Sequence, residues 1–128
     1  VLSHKVIDEK YLKDHPNHIF VFGDNIIRYG KGGAAKLRGE PNTYGFVTKK
    51  YPSNEDTAFF RPDEYTELFS QEKEKLENMI KSNPDKIFLI SKIGSGLANK
   101  YHIWENVIEH QIKELSKYNN VEFLFKGD

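Results

Sequence analysis

The stretch from His18 to Arg38 constrains the fold more than any other part of the chain. Ile19 to Phe22 is a short run of β-branched and aromatic residues and predicts a buried strand. Gly23, Asp24 and Asn25 follow, three residue types suited to a turn. Gly30-Lys31-Gly32-Gly33 then leads into Ala34 to Arg38, whose residues favour a helix. Strand, polar turn, glycine loop and helix start form one physical device. Glycine lets the backbone approach a ligand closely, and free N–H groups at a helix N-terminus attract an anion. A phosphate or pyrophosphate is the expected ligand group.

The device recurs. Ile87 to Ser91 has the apolar run of a central strand covered on both faces. Lys92 to Asn99, with glycines at 94 and 96, is a second loop of the same kind. The helix after it has its buried side marked by Ile103, Trp104, Val107, Ile108, Ile112 and Leu115. Between the two devices, Tyr44 to Thr48 predicts a strand and Thr57 to Phe60 a short strand or edge segment. Pro62 to Lys81 predicts a long amphipathic helix, with its Gln71 to Glu77 face in solvent. Val121 to Phe125 predicts the last strand, and Val1 to Asn17 a strand or one helical turn. This alternation predicts one domain over residues 1–128, a three-layer α/β/α arrangement with a largely parallel sheet. Ligands of open sheets bind beyond the carboxyl ends of the strands, where both loops fall.

Charge and cysteine usage narrow the function. Lys plus Arg and Asp plus Glu both number 19, so no overall field draws the chain to nucleic acid or an anionic membrane, and no basic stripe marks a nucleic-acid module. There is no cysteine, hence no disulfide framework or thiolate metal site, which suits a reducing, cytoplasmic setting. No apolar run is long enough to span a bilayer, and no signal-peptide pattern opens the chain. It begins at Val1, as expected of a clipped initiator Met or of missing upstream residues. His15 and His18 flank a turn without the further ligands a metal needs, and read as surface histidines. No metal and no cofactor are expected. Neither glycine loop is a Walker loop or a Rossmann fingerprint.

Asn25, six intervening positions and Gly32-Gly33-Ala34-Ala35 resemble the macrodomain signature, an Asn followed by a Gly-Gly-Gly-Val loop entering a helix. Lys31 stands where the first glycine of that triplet usually is. The stretch from Ile87 to Ala98 is similar to the macrodomain strand and its Ile-Ser/Gly-Thr/Ser-Gly-Ile/Leu loop. The resemblance covers roughly residues 18 to 110. Macrodomains bind ADP-ribose, and some remove it from proteins or nucleic acids or dephosphorylate its 1″-phosphate. The resemblance implies that Asn25 contacts the distal ribose, that the Lys31–Ala34 backbone holds it, and that Gly94, Ser95, Gly96 and Leu97 cradle the diphosphate. Departures from the pattern are plain. The family's early Gly-Asp-Ile motif, which reads adenine, has no counterpart in the first seventeen residues. The aromatic that often follows the second loop is replaced by Ala98, with Tyr101 as its substitute.

Gly23 and Thr48 join this ligand-binding set. Asp24 and Asn25 are the catalytic candidates, Asp24 as a general base activating water beside the ribose. The alternative for Asp24 is a turn former bonded to its own backbone. Lys31 either pairs with phosphate or is solvated; Arg28, Thr48 and Lys49 either line the rim or serve the surface. His102 and Glu105, at the start of the last helix, either face solvent as helix-start residues or are a reserve catalytic pair. Two functions follow: a domain that binds ADP-ribose or a related nucleotide and hydrolyses an ADP-ribosyl or phosphate-ester bond, or a non-catalytic reader or sequestering protein with the same pocket. The expected partner is that small-molecule nucleotide, with nucleic acid only as a modified substrate.

Overall fold

A computed structural model describes residues 7–125, apart from the side chain of Ala34. The elements in order are α1 (Glu9–Asp14), β1 (His18–Asn25), β2 (Thr43–Lys49), α2 (Pro62–Ser82), β3 (Ile87–Ile90), a composite helix and β4 (Val121–Phe123). The composite helix has a π-helical start, Trp104–Ile108, an α-helical turn α3, Glu109–Ile112, and a 3₁₀ end, Lys113–Lys117. Short 3₁₀ turns lie at Gly33–Ala35, Asp56–Ala58 and Leu97–Asn99. Among the described residues, no helix is long and apolar enough to cross a membrane.

The four strands form one parallel sheet in the order β2-β1-β3-β4. The fold is thus α/β, as the alternation of strands and helices requires. Along β3, Phe88 and Ile90 belong to the main core and Leu89 to a smaller one, so the period-two alternation of a strand sends them to opposite faces. On the main face lie Tyr65, Phe69, Leu76 and Ile80 of α2 with Trp104, Val107, Ile108, Ile112 and Leu115 of the composite helix. Leu12 of α1 and Leu37 pack on the other face. Asp8 caps α1 by accepting from the Tyr11 N–H at 2.8 Å. Thus the described part of the N-terminal segment is a short helix rather than a strand.

Three expectations are corrected. First, Gly23 to Asn25 do not turn. β1 runs on through them, pairing Gly23 with Phe46, Asp24 with Val47 and Asn25 with Lys49 across a register shift. Ladder bonds to β2 outweigh the turn preference of these residue types. Second, Ala34 to Arg38 form no helix beyond the Gly33–Ala35 turn. Gly33 at φ +55 and Gly39 at φ +102 bracket a segment too short to repay helix nucleation, and tertiary contacts of Leu37 and Arg38 decide its path. Third, the charged face of α2 is not wholly in solvent. Glu72 is 2% exposed, and its carboxylate accepts the outward-facing Val47 N–H at 2.9 Å. Tyr65 donates its hydroxyl to the Val47 carbonyl, and Arg28 donates to the Gly45 carbonyl at 2.7 Å. Together these side chains occupy the free edge of β2, which otherwise invites pairing with another chain.

Candidate functional site

The strand order reverses between β1 and β3. The chain leaves β1 toward β2 and leaves β3 toward β4, so a crevice opens at the carboxyl ends of β1 and β3, the switch point of an open parallel sheet. A cavity of about 620 Å³ lies there. It is lined by the end of β1 (Gly23, Asp24, Asn25), the first glycine loop (Tyr29, Gly30, Gly32, Gly33, Ala35), the end of β2 with the following turn (Thr48, Lys49, Pro52, Ser53, Asn54), and the segment after β3 (Ser91, Lys92, Ile93, Gly94, Gly96, Leu97, Ala98).

Asn25 lines this cavity at the end of β1. It is buried, and its Nδ2 donates to the Tyr29 carbonyl at 2.9 Å, which fixes the amide orientation. Its Oδ1 is then left buried with no hydrogen-bond partner. Such an orphan acceptor is costly unless a ligand donates to it. The glycine loops add donors. Among the described residues, the N–H groups of Gly32, Gly33, Gly96 and Leu97 find no acceptor in the protein. At Gly32 and Gly96 an added Cβ would meet nothing within 4 Å, so the space beside both backbones is open. Free N–H groups of successive loop residues suit an anion without any long helix behind them.

Asp24 has a different task from the one its residue type suggests. Its carboxylate accepts from Arg38 Nη2 and from Arg38 Nη1 at 3.1 Å, from Arg28 Nη1 at 3.0 Å and from the Asn25 N–H at 2.8 Å. Burial raises its pKa, but the Arg38, Arg28 and backbone hydrogen bonds prevail and hold it below the usual carboxylate range. Neither oxygen is free to take a proton from water. Instead Asp24 organises the first loop, since Arg38 Nε also binds the Gly30 carbonyl at 2.7 Å. The carboxylate rests over Gly45, where a Cβ would come within 2.2 Å of Oδ2.

Several other candidates move. Arg28, at φ +62, points its guanidinium over the β2 edge toward Asp24 and Glu72 and does not line the cavity. Lys31 also stays off the wall. Ser95 turns its hydroxyl to the Lys92 carbonyl at 2.6 Å. Gly94 lines the cavity but is held by packing, for its φ is +77 and a Cβ would lie 2.6 Å from Ile108 Cδ1. Thr48 is buried between Gly23 and Gly94. The side chain of Ala34 is outside what the structure describes; Ala35 lines the cavity. Tyr101 is bound to Asp56 under the Arg61 guanidinium, so it does not supply the missing aromatic. His102 and Glu105 are exposed and off the cavity. The helix start behind the second loop is already capped by Asn99, whose Oδ1 accepts the Trp104 N–H at 2.9 Å. No group of three or more metal-ligating side chains is found among the described residues; His15 stacks on Tyr11, and His18 Nδ1 shares a hydrogen bond with the Tyr11 hydroxyl at 2.8 Å.

Sequence reasoning passed over Tyr29, Pro52, Ser53 and Asn54. Tyr29 and Leu97 are each 72% exposed on the cavity rim, an unusual place for large apolar groups. An aromatic inside a polar glycine loop was the available signal for Tyr29. The turn at 52–54 carried none, because its position depends on the strand that precedes it.

Fold and cavity thus define an open parallel α/β protein with a crevice site at its switch point. The chain belongs to a family of unknown function (DUF7831), whose model matches residues 2–101 and so includes both glycine loops. No curated protein and no solved structure matches it.

Proposed function

We propose that the crevice binds an anionic, hydroxyl-bearing nucleotide of the ADP-ribose type and holds it without hydrolysing it. The observation that carries this reading is the buried, unpartnered Oδ1 of Asn25, a residue of the cavity lining. A ribose hydroxyl is the donor that satisfies it. The free N–H groups of both glycine loops suit the diphosphate, and the resemblance of these loops to those of macrodomains supports the same ligand. Binding is favoured over hydrolysis because Asp24, the one carboxylate on the described cavity wall, is neutralised by two arginines. A cradle that holds substrate and transition state alike does not accelerate chemistry. This favours a reader or sequestering role.

Calorimetric titration with ADP-ribose, beside ATP, NAD and cyclic nucleotides, tests the reading. ADP-ribose is expected to bind most tightly, and Asn25→Ala to lose on the order of tenfold in affinity, the worth of a buried hydrogen bond. Absence of ADP-ribose binding, or an Asn25→Ala variant that binds as wild type does, overturns it. Release of ADP-ribose from a modified protein, or of phosphate from the 1″-ester, would replace holding by hydrolysis.

A further inference from the structure

The crevice has two sides, and their chemistry differs. Because β1 lies between β2 and β3, Asn25 is flanked by the end of β2 on one side and the second glycine loop on the other. Adjacent strands are about 4.8 Å apart, so the two flanks are separated by about 10 Å. On the β3 side the donors are backbone N–H groups. On the β2 side they are side chains: Lys49, Ser53 and Asn54 all line the cavity.

Each of these three is set to donate. Lys49 makes no ion pair with any carboxylate of the described residues; its ammonium lies 5.0 Å from the centre of the Phe59 ring. Burial pushes its pKa down, so its charge is left undercompensated until an anion arrives. The Ser53 hydroxyl oxygen accepts the Glu55 N–H at 3.0 Å, which leaves its own hydrogen to give. Asn54 is exposed, and its amide makes no hydrogen bond within the described residues. No carboxylate on the described wall opposes them, since Asp24 is already paired twice.

We infer that Lys49, Ser53 and Asn54 form a second anion subsite, and that the ligand of this protein carries a second anionic group separated from its diphosphate by a sugar. This rests on the reading of the crevice as a nucleotide site. It goes further by requiring a ligand with two separate anionic groups, one more highly phosphorylated than ADP-ribose. Lys49 serves there as a point charge that tolerates rotation of the group it binds.

Two measurements test it. The first is an amide NMR titration with inorganic phosphate. Saturable shifts at Ser53 and Asn54 are expected, lost in Lys49→Met and retained in Lys49→Arg, which also shows that the site still folds. Shifts confined to Gly32, Gly33 and Gly96, or none at Ser53 and Asn54, overturn the second subsite and leave the nucleotide reading intact. The second compares the affinity of ADP-ribose with that of its 1″-phosphate and its 2′-phosphate. One phosphorylated form is expected to bind wild type at least tenfold more tightly than ADP-ribose. Lys49→Met should remove that gain, costing the phosphorylated form about tenfold more affinity than it costs ADP-ribose. A gain that survives Lys49→Met, or no gain for either form, sinks the inference. Failure of ADP-ribose alone to bind sinks the nucleotide reading, and the phosphate titration then decides the subsite by itself.

Discussion

The two glycine loops stand at equivalent places, each after a parallel strand, yet they are held by opposite means. The first is tied by charge and hydrogen bonds. Asp24 grips Arg28 and Arg38, Arg38 reaches the Gly30 carbonyl, and Asn25 holds the Tyr29 carbonyl. The second is held by close packing, with Ile93 buried and Gly94 pressed against Ile108 and Thr48. One wall of the crevice therefore answers to charge and pH, the other to side-chain volume. The contrast also explains the distribution of residues: two arginines around the first loop, branched aliphatics behind the second.

The largest effect should come from cutting the charge network. Asp24→Ala leaves two arginines without their shared partner and is expected to destabilise the fold by about 3–5 kcal/mol, read from urea denaturation. Its pH dependence has a fixed sign. Asp24 is held below its ordinary pKa of 3.8, so its contribution is full above that pH and disappears as the pH falls through the lower folded value. The stability gap between wild type and Asp24→Asn should be constant near neutrality and close below about pH 4. A gap that widens on acidification would show that the arginines do not depend on this carboxylate.

Next comes the packed wall. Gly94→Ala combines a left-handed backbone position with an overlap on Ile108 Cδ1, and is expected to cost about 2–3 kcal/mol. Ile108→Val removes that methyl group. The double variant should be more stable than the sum of the two single changes predicts, by at least about 0.5 kcal/mol. Strict additivity would mean that strain, not volume, dominates at Gly94. Neither change should alter the acid behaviour assigned to Asp24.

Changes that face the crevice itself should leave stability nearly untouched. Gly33→Glu costs about 1 kcal/mol for its positive φ, yet should abolish ADP-ribose binding in calorimetry by bringing a carboxylate to the ligand's charge. Gly96→Leu is the mildest on the fold, expected within about 0.5 kcal/mol in thermal denaturation because the space beside it is open. It too should lose ligand. Sharp destabilisation with intact affinity would make Gly96 a structural turn residue and narrow the site to the first loop.

The sequence by itself determined the elements that repeat or alternate. The parallel α/β class followed from the order of strands and helices, the long helix from Pro62 to Ser82 from its apolar spacing, and the position of both glycine loops from their glycines at 30–33 and 94–96, though not the point at which β1 ends. Such features are local, and a window of ten to twenty residues contains their cause. Tertiary structure alone decided what the polar residues do. Asp24 reads as a turn former or a base until Arg38, fourteen positions later, and Gly45 close over it. Glu72 reads as solvated until the edge of β2 presents it an unpaired N–H. Lys49 becomes a cavity group only because β2 lies beside β1 and sets the 52–54 turn on the wall. Burial and partner set the chemistry of a charged side chain, and both come from segments that meet only when the sheet is assembled.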